Sequence, residues 1–230
     1  MRVAVIVAAG GAGKRLNRKV PKPFISILGK PLLVYTLESL RKNFRFLEWV
    51  LVVAPSRVKR ARRLVRRHGF DSVRIAEGGK TRAESVWKGL VHVNRSCEWV
   101  LIHDAARPFV PKGSVRRLLR AVRETGAVIS ALPCEDTLKK ACPGSLVVSK
   151  TEDRGLFYRA QTPQVFKREL LVRRYRELGR SAFQATDEAA LFDGTGVKVK
   201  IVLGDPANIK ITTPADLEFF RFCLKRKNRG

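Results

Sequence analysis

Two unbroken apolar runs, Val3-Ala4-Val5-Ile6-Val7 and Trp49-Val50-Leu51-Val52-Val53, limit the fold more than any other feature of the chain. A strand with one wet face alternates, whereas a strand covered on both faces is apolar throughout. The runs therefore predict strands over 2–8 and 49–54, buried under helices on either side. An amphipathic segment over 32–42 lies between them and a basic one over 57–67 follows, which sets a βαβα rhythm. The rhythm continues with a strand over 73–76, a helix over 82–93, a strand over 99–103 and a helix over 114–125. The expected architecture is an α/β chain with an open, mostly parallel sheet and helices on both faces.

Between residues 132 and 158 the rhythm breaks. Segments 136–140 and 146–150 flank Pro143-Gly144, a hairpin pattern too polar to hold a core of its own. It is expected to project as an arm over 133–158 and to meet another subunit, giving a homodimer. Helices follow over 167–178 and 187–192, then a strand over 197–203. A last helix opens at Thr213-Pro214, with Thr as N-cap and Pro at the first helical position. At about 150 residues per domain, 230 residues fit a single domain over 1–230 that carries the arm.

Lys and Arg number 47 against 20 Asp and Glu, a net charge of +27, so the partners are expected to be anionic. The charge invites a nucleic-acid reading, most of all at 57–67. A dedicated nucleic-acid binder gathers basic residues on one face among aromatics, and here they spread over successive helices. Solvated helix faces account for that pattern, leaving only weak, non-specific adhesion to nucleic acid. Cys97, Cys134, Cys142 and Cys223 make neither a C-x-x-C pair nor a zinc spacing, which suits a reducing cytoplasm. No apolar run approaches the roughly 20 residues that span a bilayer, so no membrane partner is expected.

Ligands of open α/β sheets sit beyond the carboxyl ends of the strands, which directs attention to the loop after the first strand. Ala9, Gly10, Gly11, Ala12, Gly13, Lys14 and Arg15 match neither a Walker loop, since Ala8 and Arg15 stand where Gly and Ser or Thr are needed, nor a dinucleotide fingerprint, since Leu16 replaces the third glycine. A polyphosphate cradle of backbone N–H groups with Lys14 and Arg15, or a plain turn, both fit. Lys22 sits between Pro21 and Pro23, which restrict its backbone and aim its ammonium. At the end of the fourth strand, His103-Asp104-Ala105-Ala106-Arg107-Pro108 offers an acid for Mg²⁺ and an Arg for a phosphate. His103 reads as a packed, hydrogen-bonded histidine. Thr81 and Glu84 read as a capping box.

Taken together, Ala9 to Arg15, Pro21-Lys22, Gly78 to Val86, His103 to Pro108, Thr162-Pro163-Gln164, Thr186-Asp187-Glu188 and Asn208 to Thr212 closely resemble the 2-C-methyl-D-erythritol 4-phosphate cytidylyltransferases over nearly the whole chain. The resemblance implies a Rossmann-like nucleotidyltransferase fold and transfer of CMP from CTP to methylerythritol phosphate with Mg²⁺. It implies Arg15 and Lys22 as transition-state stabilisers, with Gly11 and Gly13 backbone on the triphosphate and Asp104 on the metal. Arg154 and Lys210 would orient the polyol phosphate. Gly79, Lys80 and Ser85 match positions around the cytosine, and Arg82, Arg107, Thr137, Thr162 and Thr186 substrate contacts. In the family the hairpin is exchanged between subunits, which would carry Thr137 and Arg154 to the neighbour's site. The chain departs from the family at Gly10, where Ala is usual, at Pro23, where Gln is frequent, and at Ala207, where an acid is common, leaving Asp104 as the expected metal ligand. A cytidylyltransferase for another polyol phosphate, such as ribitol 5-phosphate, would share the CTP half. A basic nucleic-acid-binding protein is the rival of a different class.

Overall fold

The computed structural model describes residues 1–11 and 20–227. In chain order the strands are β1 (Val3–Ala8), β2 (Ser26–Ile27), β3 (Lys30–Pro31), β4 (Glu48–Val53), β5 (Arg74–Glu77), β6 (Trp99–Asp104), β7 (Ala127–Pro133), β8 (Leu138–Ala141), β9 (Val148–Glu152), β10 (Tyr158–Lys167) and β11 (Lys200–Leu203). The helices are α1 (Leu32–Asn43), α2 (Val58–Arg67), α3 (Arg82–Val91), α4 (Ser114–Thr125), α5 (Arg168–Leu178) and α6 (Pro214–Lys227). Seven strands form one sheet in the order β11-β7-β10-β6-β1-β4-β5, in which β10 runs antiparallel to both neighbours and the other pairings are parallel. The expected α/β architecture is present.

β1 shows why its sequence cannot alternate. Val3, Val5 and Val7 enter one core with α1, α2 and α4, while Ala4 and Ile6 enter a second core with α3 and α5. Both faces are covered, so both residue sets must be apolar. A third cluster packs α6, through Leu217 and Phe220, against Ile25, Ile27 and Leu32 at the start of α1. No helix among the described residues is long and apolar enough to cross a membrane.

The hairpin stands at β8 and β9, each strand beginning two residues later than expected, and turns through Gly144 at φ 72°. The helix expected over 187–192 is a single 3-10 turn, Ala189–Phe192. Asp187 caps it by accepting from the Ala190 N–H at 3.2 Å, and Gly194, at φ 68°, turns the chain away two residues after its end. The strand expected over 197–203 begins only at Lys200. β7 and β10 were not anticipated.

Candidate active site

Register fixes the floor of the site. Ala8 pairs with Val52 on one side and Asp104 on the other, so β1, β4 and β6 end level and their following loops converge. A cleft of about 320 Å³ opens there, lined by Ala9, Gly10, Gly11, Lys22, Gly79, Lys80, Arg82, Ser85, Asp104 and Lys210 among others. A second cleft of about 190 Å³ adjoins it, lined in part by Arg107, Thr162, Thr186 and Asp187. Arg82, Asp104 and Lys210 line both clefts and so form their common wall.

Asp104 is the hub of that wall. It lies 3.0 Å from Arg82 Nε, 2.7 Å from Lys210 Nζ and 4.0 Å from Arg107 Nε. Burial works against its charge, but Arg82 and Lys210 hold its carboxyl well below the usual carboxylate range, so it stays ionised. Its backbone N–H donates to Thr162 Oγ1 at 3.0 Å, and Thr162 Oγ1 is 3.1 Å from His103 Nδ1. His103 Nε2 lies 2.9 Å from the Arg107 carbonyl, which can only accept, so Nε2 carries the hydrogen and Nδ1 accepts from the Thr162 hydroxyl. Burial lowers the His103 pKa to about 4, which keeps the ring neutral. His103 is thus a fixed strut under Asp104, as the sequence suggested.

Five other expected contacts are committed within the chain. Arg107 donates to the Asn208 carbonyl at 2.6 Å and the Ala160 carbonyl at 3.4 Å, and so pins the segment that delivers Lys210 instead of offering those nitrogens to a phosphate. Thr162 spends its hydroxyl hydrogen on His103. Ser85 Oγ donates to the Thr81 carbonyl at 2.8 Å and accepts from the Gly79 N–H at 3.0 Å, while the Lys80 N–H donates to Glu84 Oε2 at 2.7 Å. Both amides expected at the base are occupied by side chains of their own helix start. The capping reading holds through Thr81, whose hydroxyl accepts from the Glu84 N–H at 3.1 Å.

α3 brings Arg82 to the wall because Thr81 caps the helix beyond the end of β5, making Arg82 its first residue. Lys22 opens a short 3-10 turn, Lys22–Phe24, entered through Pro21, and lines the first cleft. Thr137 and Arg154 lie exposed at the arm and its base and line neither cleft of their own chain. Gly13, Lys14 and Arg15 lie outside the described residues.

Sequence reasoning placed Glu188 in the Thr186-Asp187-Glu188 string but gave it no role behind Arg82. Glu188 is completely buried and accepts from Arg82 Nη1 with both carboxylate oxygens, at 3.0 and 2.8 Å. Tyr175 Oη lies 3.3 Å from Glu188 Oε1 and 3.1 Å from the Ala83 carbonyl. Burial pushes the Glu188 carboxyl upward against the pull of Arg82, and it opposes the Arg82 charge, which Glu188 and Asp104 nonetheless hold above its ordinary value. The string Thr186-Asp187-Glu188 marked the segment, but nothing in it named Arg82 as the partner.

A doubly covered sheet with a cation-rich wall beyond its strand ends defines an α/β protein that takes an anionic ligand at that edge. Comparison with known proteins narrows the class: the family model described as 2-C-methyl-D-erythritol 4-phosphate cytidylyltransferase matches residues 3–226. The chain belongs to that family. The enzyme of that name from Alkaliphilus metalliredigens is 38% identical over 100% of this chain and 95% of its own. The one from Geobacillus kaustophilus is 39% identical over 95% of each. Among solved structures, 4-diphosphocytidyl-2C-methyl-D-erythritol synthase from Anaerococcus prevotii superposes with a TM-score of 0.84 at 30% identity, covering 97% of this chain and 96% of that one. The cytidylyltransferase from Thermus thermophilus gives 0.76 at 32%, covering 98% and 100%.

Proposed function

We propose that the first cleft holds CTP, the second holds 2-C-methyl-D-erythritol 4-phosphate, and CMP passes across their shared wall. The observation that carries this reading is the wall itself, where Arg82, Asp104 and Lys210 line both clefts. An oxygen of the polyol phosphate attacks the α-phosphorus of CTP. The new P–O bond forms as the bond to the bridging oxygen breaks, and pyrophosphate leaves. A phosphate monoester has its second pKa near about 6, so the nucleophile is already largely ionised at neutral pH and needs no general base. The neutral, hydrogen-bonded state of His103 agrees with that chemistry. What remains for the protein is alignment of two polyanions and neutralisation of charge on the phosphorus being transferred.

Lys22 and Arg15 supply that charge, the backbone of the glycine loop receives the triphosphate, and Lys210 orients the polyol phosphate. Arg107 and Thr162 act behind the site, holding the Lys210 segment and the Asp104 backbone. Thr186 stands at the second cleft as a substrate contact, and Ser85, with Gly79 and Lys80, near the base. The donor set suits Mg²⁺ held chiefly by phosphates, because that ion takes one or two carboxylates and fills its remaining positions with phosphate oxygens and water. Among the described residues no three acidic, His or Cys groups cluster, and Asp104 is the carboxylate common to both clefts. Bound there, the ion would neutralise charge on the triphosphate.

Residues 133–158 form an arm on a single domain, exchanged in a homodimer so that Arg154 and Thr137 complete the neighbour's second cleft. The apolar surface at the arm and its base supports this: Leu146 is fully exposed, and Val147, Val148, Leu156 and Phe157 are exposed beside it. The four free thiols fit a reducing cytoplasm. Pyrophosphate release from CTP and Mg²⁺ is the direct test, with methylerythritol phosphate compared against ribitol 5-phosphate. Turnover with the former alone is the expected result, and equal turnover with both refutes the assignment of substrate.

A further inference from the structure

Glu188 lines neither cleft, yet the fold places its carboxylate where no water reaches it and gives both oxygens to one nitrogen of Arg82. Burying an ion pair costs several kcal/mol per ion in desolvation and is weak evidence of a stabilising role. The arrangement around Arg82 points elsewhere. An arginine facing a carboxylate ordinarily presents two parallel N–H groups to its two oxygens. Arg82 instead reaches Asp104 Oδ1 through Nε alone, at 3.0 Å, while Nη1 is held by Glu188 and Nη2 is buried without a hydrogen-bond partner among the described residues. The second Asp104 oxygen is thereby left to Lys210, at 2.7 Å. Tyr175, from α5, stands behind Glu188 with its hydroxyl shared between Oε1 and the Ala83 carbonyl of α3, and is itself packed against Trp87 of α3, ring centroids 5.2 Å apart. The clamp is therefore held between α3, which carries Arg82 and Trp87, and α5, which carries Tyr175.

We propose that Glu188 is a positioning residue for the transfer step: it holds the Arg82 guanidinium turned away from a two-point grip on Asp104. Asp104 and Lys210 then stay in the arrangement that aligns the two substrates. This rests on the cytidylyltransferase reading of the clefts. Released by Glu188→Gln, Arg82 closes on Asp104 with both Nε and Nη2 and displaces Lys210 from its oxygen. Misalignment of about 1 Å costs on the order of 100-fold in rate, so kcat falls between about 10-fold and 100-fold.

The test is a kcat series with CTP and methylerythritol phosphate, run beside thermal unfolding of each variant. Glu188→Asp keeps the charge and loses volume, whereas Glu188→Gln keeps the volume and loses the charge. A positioning role through Arg82 ranks kcat with Asp above Gln, and a packing role ranks Gln above Asp. Tyr175→Phe removes only the hydroxyl behind the clamp, leaves the fold intact, and is expected to lower kcat about threefold to tenfold. In an Arg82→Ala background, Glu188→Gln is expected to cost no further activity, since residues acting as one unit are not additive. Wild-type kcat in folded Glu188→Gln and Tyr175→Phe, the reverse ranking, or additive losses with Arg82→Ala would overturn the proposal while wild-type turnover leaves the cytidylyltransferase reading standing. Failure of the wild type itself to release pyrophosphate would overturn that reading and this inference with it.

Discussion

Asp104 carries its charge into a pocket where burial alone would neutralise it, because Arg82 and Lys210 are within ion-pairing distance. Residues in that setting have separable signatures. Lys22 is proposed to act on the transition state, so Lys22→Ala should lower kcat roughly 100-fold to 1,000-fold, the range for loss of one preorganised donor. The variant should remain folded, read by circular dichroism, and a steady-state kcat equal to wild type would remove Lys22 from the mechanism. His103 has a stability signature. Its folded pKa, about 4, lies below the ordinary 6.5. The unfolded chain therefore binds the proton first as pH falls, and stability held above pH 6.5 drains away toward pH 4. Glu188, raised by burial, contributes in the opposite sense, so the measurement must isolate His103. The stability gap between wild type and His103→Gln should shrink by about 2 kcal/mol from pH 7 to pH 5, read by urea unfolding. A gap independent of pH would mean that His103 is not buried neutral.

At the scale of elements, α3 decides how close the nucleotide side of the site can come to the sheet. A Cβ on Gly89 would lie 2.7 Å from Val52 and 3.0 Å from Ile6, both core side chains of the central strands. Alanine there gains about 1 kcal/mol of helix propensity, but overpacking a rigid core costs about 1–3 kcal/mol. Gly89→Ala should therefore be destabilised by about 1 kcal/mol net and should lower kcat/KM as Arg82 and Ser85 shift with the helix. Stabilisation, measured as a higher Tm, would show that α3 sits farther from the sheet. The unbroken runs of β1 and β4 made the central strands legible because coverage on two faces leaves a direct trace in composition. β10 left no such trace. Pro163 argues against a strand interior, and Gln161, Thr162 and Gln164, all buried, are polar because their side chains bond the second cleft's framework. The same cause hid part of the site. Lys22, Asp104 and Lys210 sit in short motifs that suggest their roles, whereas Glu188, though inside the Thr186-Asp187-Glu188 string, bonds a residue 106 positions away, a pairing that only the folded chain creates.

Across the whole molecule, the net charge of +27 and the arm bear on the proposed pairing of two chains. Basic side chains cover the outer helices, so two protomers would repel at long range, and the proposed association would rest on apolar contact. The exposed Leu146, Val147 and Val148 sit at and just beyond the turn between β8 and β9, and Leu156 and Phe157 near its base. Arg154 and Thr137 stand on the same segment, apart from the clefts of their own chain. If a symmetric pair exchanges arms, each site takes Lys22 from one chain and Arg154 from the other. A homodimer of Lys22→Ala and a homodimer of Arg154→Ala would then each be inactive. In a heterodimer, both lesions fall in one site and the other is intact. Random exchange of equal amounts makes half the dimers mixed, each with one working site of two, so activity should recover to about one quarter of wild type for an interface related by a twofold axis. Sites built within one chain would give no recovery, because every chain in the mixture would carry a lesion in its own site. The measurement is pyrophosphate release before and after mixed refolding, with dimer formation confirmed by light scattering, and a mixture that stays as inactive as its components would refute arm exchange.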